Sequence, residues 1–261
     1  MKYPTYLVLF LLVLMLSCKE EKTDATTKEE VRIYMAWPGY TALPYYRWSD
    51  LDAEPKGPEP KLISEILSLK GYDYVFIPDY PYRDVGDPRI DALLDNAADV
   101  SIRGFSITDE RKELVDFSDP YFIDGLAVMI HDSSSIKTIP DLQGKRIFVY
   151  SYTTAYTWLK SNIPNAIVTT EIDVNINPWV LINQDLVDAY IYDYIGLKSI
   201  QTLNPDFGLK ILDEKLTQDP LGIAVKKGDA KLLKDINDGI KTLKASGKLE
   251  AILSEYYNFK N

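Results

Sequence analysis

The stretch Ser101 to Phe122, SIRGFSITDERKELVDFSDPYF, holds the side chains best suited to gripping a small charged molecule. Asp99 to Ile102 is a short apolar run of strand type, and Arg103 to Ser106 is polar and broken by Gly104. Thr108 followed by Asp109 and Glu110 signals a helix start. Arg111 then stands one turn inside that helix, directed back at the loop. A planar guanidinium gives a carboxylate two parallel charge-assisted hydrogen bonds, which an ammonium cannot reproduce. The plainer role for Arg111 is an ion pair with Glu110, Glu113 or Asp116 on a solvated helix face. The other reactive chemistries are poorly supplied. GFSIT lacks the second glycine of a nucleophile elbow, His131 is the one histidine, Cys18 is the one cysteine, and no phosphate-binding loop is present. Neither a cofactor nor a metal is expected.

From Val31 onward, apolar runs alternate with helical patterns. VRIYMAW, YDYVFIP and ADVSI read as strands, and KLISEILSLKG and PRIDALLDN as helices. A second series follows in LAVMI, KRIFVY, TTAYTWLKSN, AIVTTE, LVDAYIYD, YIGLKSI and LKIL. LGIAVKK then reads as a strand ahead of two amphipathic helices, in which Leu232, Leu233, Ile236, Ile240 and Leu243 recur at intervals of three and four. Such alternation predicts an α/β chain with two lobes, each a sheet flanked by helices.

With 261 residues, 46% hydrophobic and 26% charged, the chain has material for two modest cores. The net charge of −10 argues against a nucleic-acid partner, because phosphate binding needs a cationic face. Lys2 and the apolar run Tyr6 to Leu16 read as an export signal, being shorter than the roughly 20 residues of a membrane-spanning helix. MLSC, ending at Cys18, resembles the lipobox of bacterial lipoproteins, with Met15 where Leu is commoner. That resemblance implies removal of residues 1–17, a lipid on Cys18 and a polar linker over 18–30, with the folded part beginning at Val31.

The block Gly104, Phe105, Ser106, Ile107, Thr108, Arg111, Phe117, Ser118, Pro120 and Tyr121 closely resembles a motif of the type 2 periplasmic binding proteins. Within that family it is similar to the family 3 branch, which captures amino acids for ABC importers. The resemblance implies a two-lobed fold with a mixed sheet in each lobe and a two-stranded hinge. It places lobe one at 31–122 plus 219–261 and lobe two at 123–218. It also implies that Arg111 takes the ligand α-carboxylate, helped by Ser106 and by the helix start at Thr153 and Thr154. Free amides at a helix N-terminus suit an anion on physical grounds alone. Asp193, at the end of LVDAYIYD, would accept from the α-ammonium together with Gly104. Trp37 and Tyr46 are the aromatics chosen as ligand walls from the cluster Trp37, Tyr40, Tyr45 and Tyr46.

Several positions depart from the family pattern. Lys61 stands where an aspartate usually begins a helix, Gly86 where an aromatic is usual, and Tyr152 where a glycine usually precedes the two threonines. Arg103 occupies a position from which some relatives touch the ligand side chain, and would favour an acidic or amide-bearing ligand. A structural salt bridge to Asp99 or Asp116 is the equal alternative for it. The implied function is capture of an amino acid by lobe closure, by an exported monomer that docks on an importer permease and meets the membrane only through its lipid. A dehydratase-like enzyme or a sensory module of the same fold is the alternative.

Overall fold

The computed structural model describes residues 28–35, 41–42, 44–77, 86–171 and 176–256. The leader, Cys18, Trp37 and Tyr40 lie outside the described residues.

The first half of the chain opens with strand β1 (Glu30–Tyr34) and the short pair β2 (Thr41–Ala42) and β3 (Tyr46–Arg47). Helix α1 (Pro58–Leu69), β4 (Asp73–Phe76), α2 (Pro88–Leu94), β5 (Val100–Ser101), α3 (Asp109–Leu114) and β6 (Val115–Phe117) follow. Helix α1 begins at Pro58, ahead of the expected start at Lys61, because prolines fit a first helical turn whose N–H groups have no internal partners. The chain then passes through β7 (Phe122–Ile123) into β8 (Leu126–His131), β9 (Arg146–Phe148), α4 (Thr154–Asn162) and β10 (Ile167–Thr169). Helix α5 (Pro178–Asn183), β11 (Ala189–Asp193), α6 (Tyr194–Leu203) and β12 (Leu209–Ile211) complete the second series. Strands β13 (Pro220–Leu221) and β14 (Ala224–Lys226) lead to α7 (Ala230–Ala245) and α8 (Lys248–Leu253).

These strands form two five-stranded mixed sheets. The first has the order β4-β1-β5-β14-β6 and the second β10-β9-β11-β8-β12. Strand β14 is antiparallel to both its neighbours and lies between β5 and β6, so the chain returns to the first sheet after building the second. The two crossings pair with each other: Pro220 lies opposite Ile123 and Leu221 opposite Phe122 in the β7–β13 ladder. The predicted α/β, two-lobed architecture with a two-stranded connection is the one observed.

Each sheet has its own apolar core. Ile33, Ile63, Ile66, Ile223, Ile236 and Ile240 meet in the first, where α7 approaches α1 so closely that a Cβ on Gly239 would stand 2.7 Å from Ile66 Cγ2. Val128, Ile130, Ile147, Leu159 and Ile191 meet in the second. The same polar clip recurs in both. Arg32 on β1 donates from its backbone N and from Nε and NH2 to Asp99, and from NH1 to the carbonyl of Asn96. Arg146 on β9 makes the same set of bonds to Asp188 and to the carbonyl of Asp185. Asn96 and Asp185 both adopt left-handed backbone, with φ of 57° and 55°, which Asn and Asp tolerate better than most residues.

Candidate ligand site between the two sheets

A cavity of about 960 Å³ lies between the lobes, at the upper end of the range for small-molecule sites. Its lining takes residues from both sheets, including Arg103, Gly104, Ser106, Arg111, Thr153, Thr154 and Asp193. Seven of the nine residues chosen from the sequence as ligand contacts therefore line one space.

The lobe-one wall is the loop between β5 and α3. Gly104 has φ +48°, and a Cβ there would stand 3.0 Å from Tyr45 Cζ, so both backbone and space call for glycine. Its N–H donates to Oε1 of the fully buried Glu59 at 2.8 Å, and Tyr121 hydrogen-bonds the same oxygen. Thr108 caps α3 by accepting from the N–H of Arg111, which fixes the guanidinium over the loop. Arg111 NH1 donates to the Ser106 carbonyl at 2.7 Å. Burial, then the neighbouring Arg89 charge, lowers the Arg111 pKa to about 10. A cation held this way favours an incoming anion. Asp99 and Asp116, the suggested partners of Arg103, are engaged by Arg32 and Lys226 and by Lys227 respectively.

The lobe-two wall is built from the ends of β9 and β11. Thr153 is the N-cap of α4, accepting from the N–H of Tyr156 and donating to the Tyr150 carbonyl at 2.6 Å. Thr154 is the first residue of that nine-residue helix. Tyr152 turns the chain with φ +58°, where an aromatic residue is strained. The turn is held by Glu171, whose carboxylate accepts from the Ser151 N–H at 2.8 Å. Asp193 ends β11 and is buried. Tyr45, which belongs to lobe one, donates its phenol hydrogen to Asp193 Oδ2 at 3.0 Å, and Asp124 Oδ2 lies 3.4 Å from the Tyr45 hydroxyl oxygen. Burial pushes both carboxyls up, and the charge of Asp193 pushes Asp124 further, so the two hold protons more tightly than ordinary aspartates.

Of the two aromatics chosen as ligand walls, Tyr46 lies among the described residues. Tyr46 is fully buried in the lobe-one core beside α1 and is not among the residues lining the cavity, whereas Tyr45, in the turn just before β3, lines it. Trp37 lies outside the described residues. Further aromatics among the described residues line the cavity from lobe two. Phe148, Tyr150 and Tyr192 line the cavity, with Tyr150 edge-on to Tyr192 at 6.0 Å and Tyr192 stacked on Tyr190 at 5.5 Å. Asp87, Arg89, Glu171 and Asn177 also line it without having been singled out, as does Tyr45, a member of the aromatic cluster that was not chosen. Asp87-Pro88-Arg89 carried a helix-start signal, an N-cap Asp followed by Pro, but nothing local indicated that the cap would face a cleft.

Residues 40–259 match the bacterial extracellular solute-binding proteins, family 3, and the chain belongs to that family. It is similar to the L-cystine-binding protein TcyJ of Escherichia coli (strain K12), with 30% identity over 173 residues, covering 66% of this chain and 64% of that protein. It is also similar to the ABC transporter glutamine-binding protein GlnH of Bacillus subtilis (strain 168), with 29% identity over 64% of this chain and 61% of the relative. The matches thus span somewhat under two thirds of these two relatives. Among solved structures, an ancestral arginine-binding protein bound to arginine superposes with a TM-score of 0.76 and 30% identity, over 88% of this chain and 99% of that one.

Proposed function

We propose that the cavity captures an L-α-amino acid and that closure of the two lobes over it presents the complex to the permease of an ABC importer. The observation that carries this reading is that Arg111 from one lobe and Asp193 from the other, both buried, line a single cavity. Arg111, Ser106 and the start of α4 at Thr153 and Thr154 take the carboxylate. Asp193 and Gly104 take the ammonium, which joins or displaces the Tyr45 phenol on Asp193. Arg103 faces the ligand side chain. The family match, and relatives whose names specify cystine, glutamine and arginine, support an amino-acid ligand.

A ligand touching both lobes favours the closed form by its difference in affinity between the two states. A micromolar affinity, about −8 kcal/mol, is within reach of one zwitterion buried between such groups. The protein binds its ligand unchanged, as a monomer, with lobe one at 31–122 plus 219–261 and lobe two at 123–218. It is exported by the leader over 1–17 and tethered to a membrane by a lipid on Cys18 through the linker 18–30. No helix among the described residues is long and apolar enough to cross a membrane.

A thermal-shift screen of the twenty amino acids and L-cystine tests the reading, since a ligand that binds only the folded form raises the melting point. At least one amino acid should raise it by several degrees at millimolar concentration. No shift from any of them would remove the amino-acid reading. Unchanged prephenate after incubation with the protein is the outcome expected of a binder, and turnover would make it a dehydratase.

A further inference from the structure

Arg111 has a neighbour that the binding scheme does not use. The guanidinium carbons of Arg89 and Arg111 stand 4.2 and 4.8 Å from the centroid of the Phe105 ring. Both arginines are 9% exposed, and one carboxylate, Asp87, serves the two of them.

The sharing is unequal. Asp87 Oδ1 accepts from the Arg89 backbone N at 3.1 Å and from its Nε at 2.8 Å, while Oδ2 accepts from Arg89 NH2 at 2.6 Å. The same Oδ2 lies 3.4 Å from Arg111 NH2, too long for a strong charge-assisted bond. Arg89 therefore holds Asp87 by both oxygens, and Arg111 is left with one short bond, to the Ser106 carbonyl. Arg89 is itself held from behind, its NH1 donating to the Arg103 carbonyl at 3.1 Å. Burial alone would raise the Asp87 pKa, but the charge and hydrogen bonds of Arg89, with Arg111 and Arg103 behind them, bring it down to about 2, so it is an anion throughout the ordinary pH range.

A buried guanidinium with an anion within an ångström of bonding distance will draw that anion in unless something else holds it. We infer that Arg89 is a positioning residue that sequesters Asp87 and so keeps the outer edge of Arg111 open for the ligand carboxylate. Without Arg89, Oδ2 would close on Arg111 and occupy its fork as a built-in competitor, while Oδ1 still capped α2. This inference rests on Arg111 being the carboxylate anchor. It adds that Asp87, required as a helix cap, would otherwise block the site.

The test compares R89M, D87N and the double variant D87N/R89M with the wild type, by calorimetry with L-glutamine and L-arginine and by crystallography of the unliganded R89M protein. R89M should bind about 30-fold more weakly. D87N should bind at least as tightly as the wild type, and the double variant should return to within about fivefold of it. In the R89M crystal, Asp87 Oδ2 should lie within about 3.0 Å of Arg111, the usual charge-assisted distance. R89M binding within threefold of the wild type, or a double variant as weak as R89M, would overturn the inference. Asp87 remaining away from Arg111 in the crystal would overturn it too. If R89M does not fold, R89K keeps the charge but loses the bidentate fork. It should then bind about tenfold more weakly, with the same rescue by D87N, and absence of that rescue counts against the inference. Should the wild type bind neither amino acid, calorimetry bears on the proposed ligand alone and the crystal still decides the role of Arg89.

Discussion

The two lobes solve one construction problem identically and then face the cavity with opposite chemistry. In each, an arginine on a parallel strand clips an aspartate just ahead of the next strand and a carbonyl in the left-handed turn before it, as Arg32 does for Asp99 and Arg146 for Asp188. The clip fixes where the following strand begins, and hence where its far end delivers the next residues into the cleft. At that end lobe one presents a polar loop beside two guanidiniums, Arg89 and Arg111, and lobe two presents a helix start, a buried carboxylate and a wall of tyrosines. Scaffold and ligand chemistry are thus carried by different ends of the same strands, and substitutions at the two ends should have separable effects.

The largest expected effect is at the anchor. Arg111→Ala should weaken amino-acid binding about 100-fold or more, since two charge-assisted bonds of roughly 1.5–3 kcal/mol each are lost, and should leave the circular-dichroism spectrum unchanged. An R111A protein that still bound within tenfold would end the role assigned to it. Asp193→Asn probes the other wall and should cost about 30-fold for an amino acid, much less for its des-amino carboxylic acid, because the missing partner is the ammonium. Equal losses for the two compounds would place the ammonium elsewhere.

The acidity of the lobe-two wall gives a pH signature. In the folded protein Asp124 and Asp193 hold protons more tightly than in the unfolded chain, so their contribution to stability is present at low pH. It is lost as pH rises from the ordinary carboxylate range, about 4, toward neutrality. The unliganded melting temperature should therefore contain a component that falls over this interval, diminished in D124N. A ligand ammonium on Asp193 reverses the preference, so binding near pH 6 should release protons, which calorimetry in buffers of different ionisation enthalpy would register. Asp87, with its pKa near 2, has the opposite sign and contributes stability that is lost only in strong acid.

Smaller effects belong to the clips and to the side-chain subsite. Arg32→Met and Arg146→Met should each lower stability by about 1 kcal/mol and leave affinity within about twofold, because these partly exposed pairs lie away from the cleft. A large loss of affinity in either would show that the strand ends are not independent. Arg103→Ala should shift the ranking of glutamate, glutamine and arginine by a few fold, and arginine binding best to the wild type would exclude the acidic or amide preference.

Much of this arrangement was legible in the chain, and its limits follow from what is local. The 101–122 block was readable because strand, loop, helix cap and Arg111 are consecutive, so their geometry follows from one another. Asp193 and Thr154 came from the family resemblance, since each taken alone, at the junction of a strand or turn with a helix, reads as an ordinary helix start. Asp87 and Arg89 were not readable, since an Asp-Pro-Arg helix start looks the same on any surface and becomes a site only through Phe105 and Arg111, from another segment. Glu59 was hidden more deeply: a glutamate in a proline-rich first turn reads as solvent-facing, yet it supports the Gly104 loop from a fully buried position. Within the aromatic cluster, that Tyr45 lines the cavity while Tyr46 is buried in the core is a one-residue question of direction, which composition in a tyrosine-rich hairpin does not answer.

The position of β14 bears on the order in which the molecule can be built. The second sheet is complete once Ile211 has been made, and every strand in it comes from a continuous stretch of chain. The first sheet has a gap between β5 and β6 until Ala224–Lys226 arrive, although β1, β4, β5 and β6 are synthesised long before. The earlier lobe in the chain is therefore the later one to close, and until then its two neighbouring strand edges are open to pairing with other chains. A chain cut short after β12 should yield a folded second lobe carrying an unfinished, aggregation-prone first one.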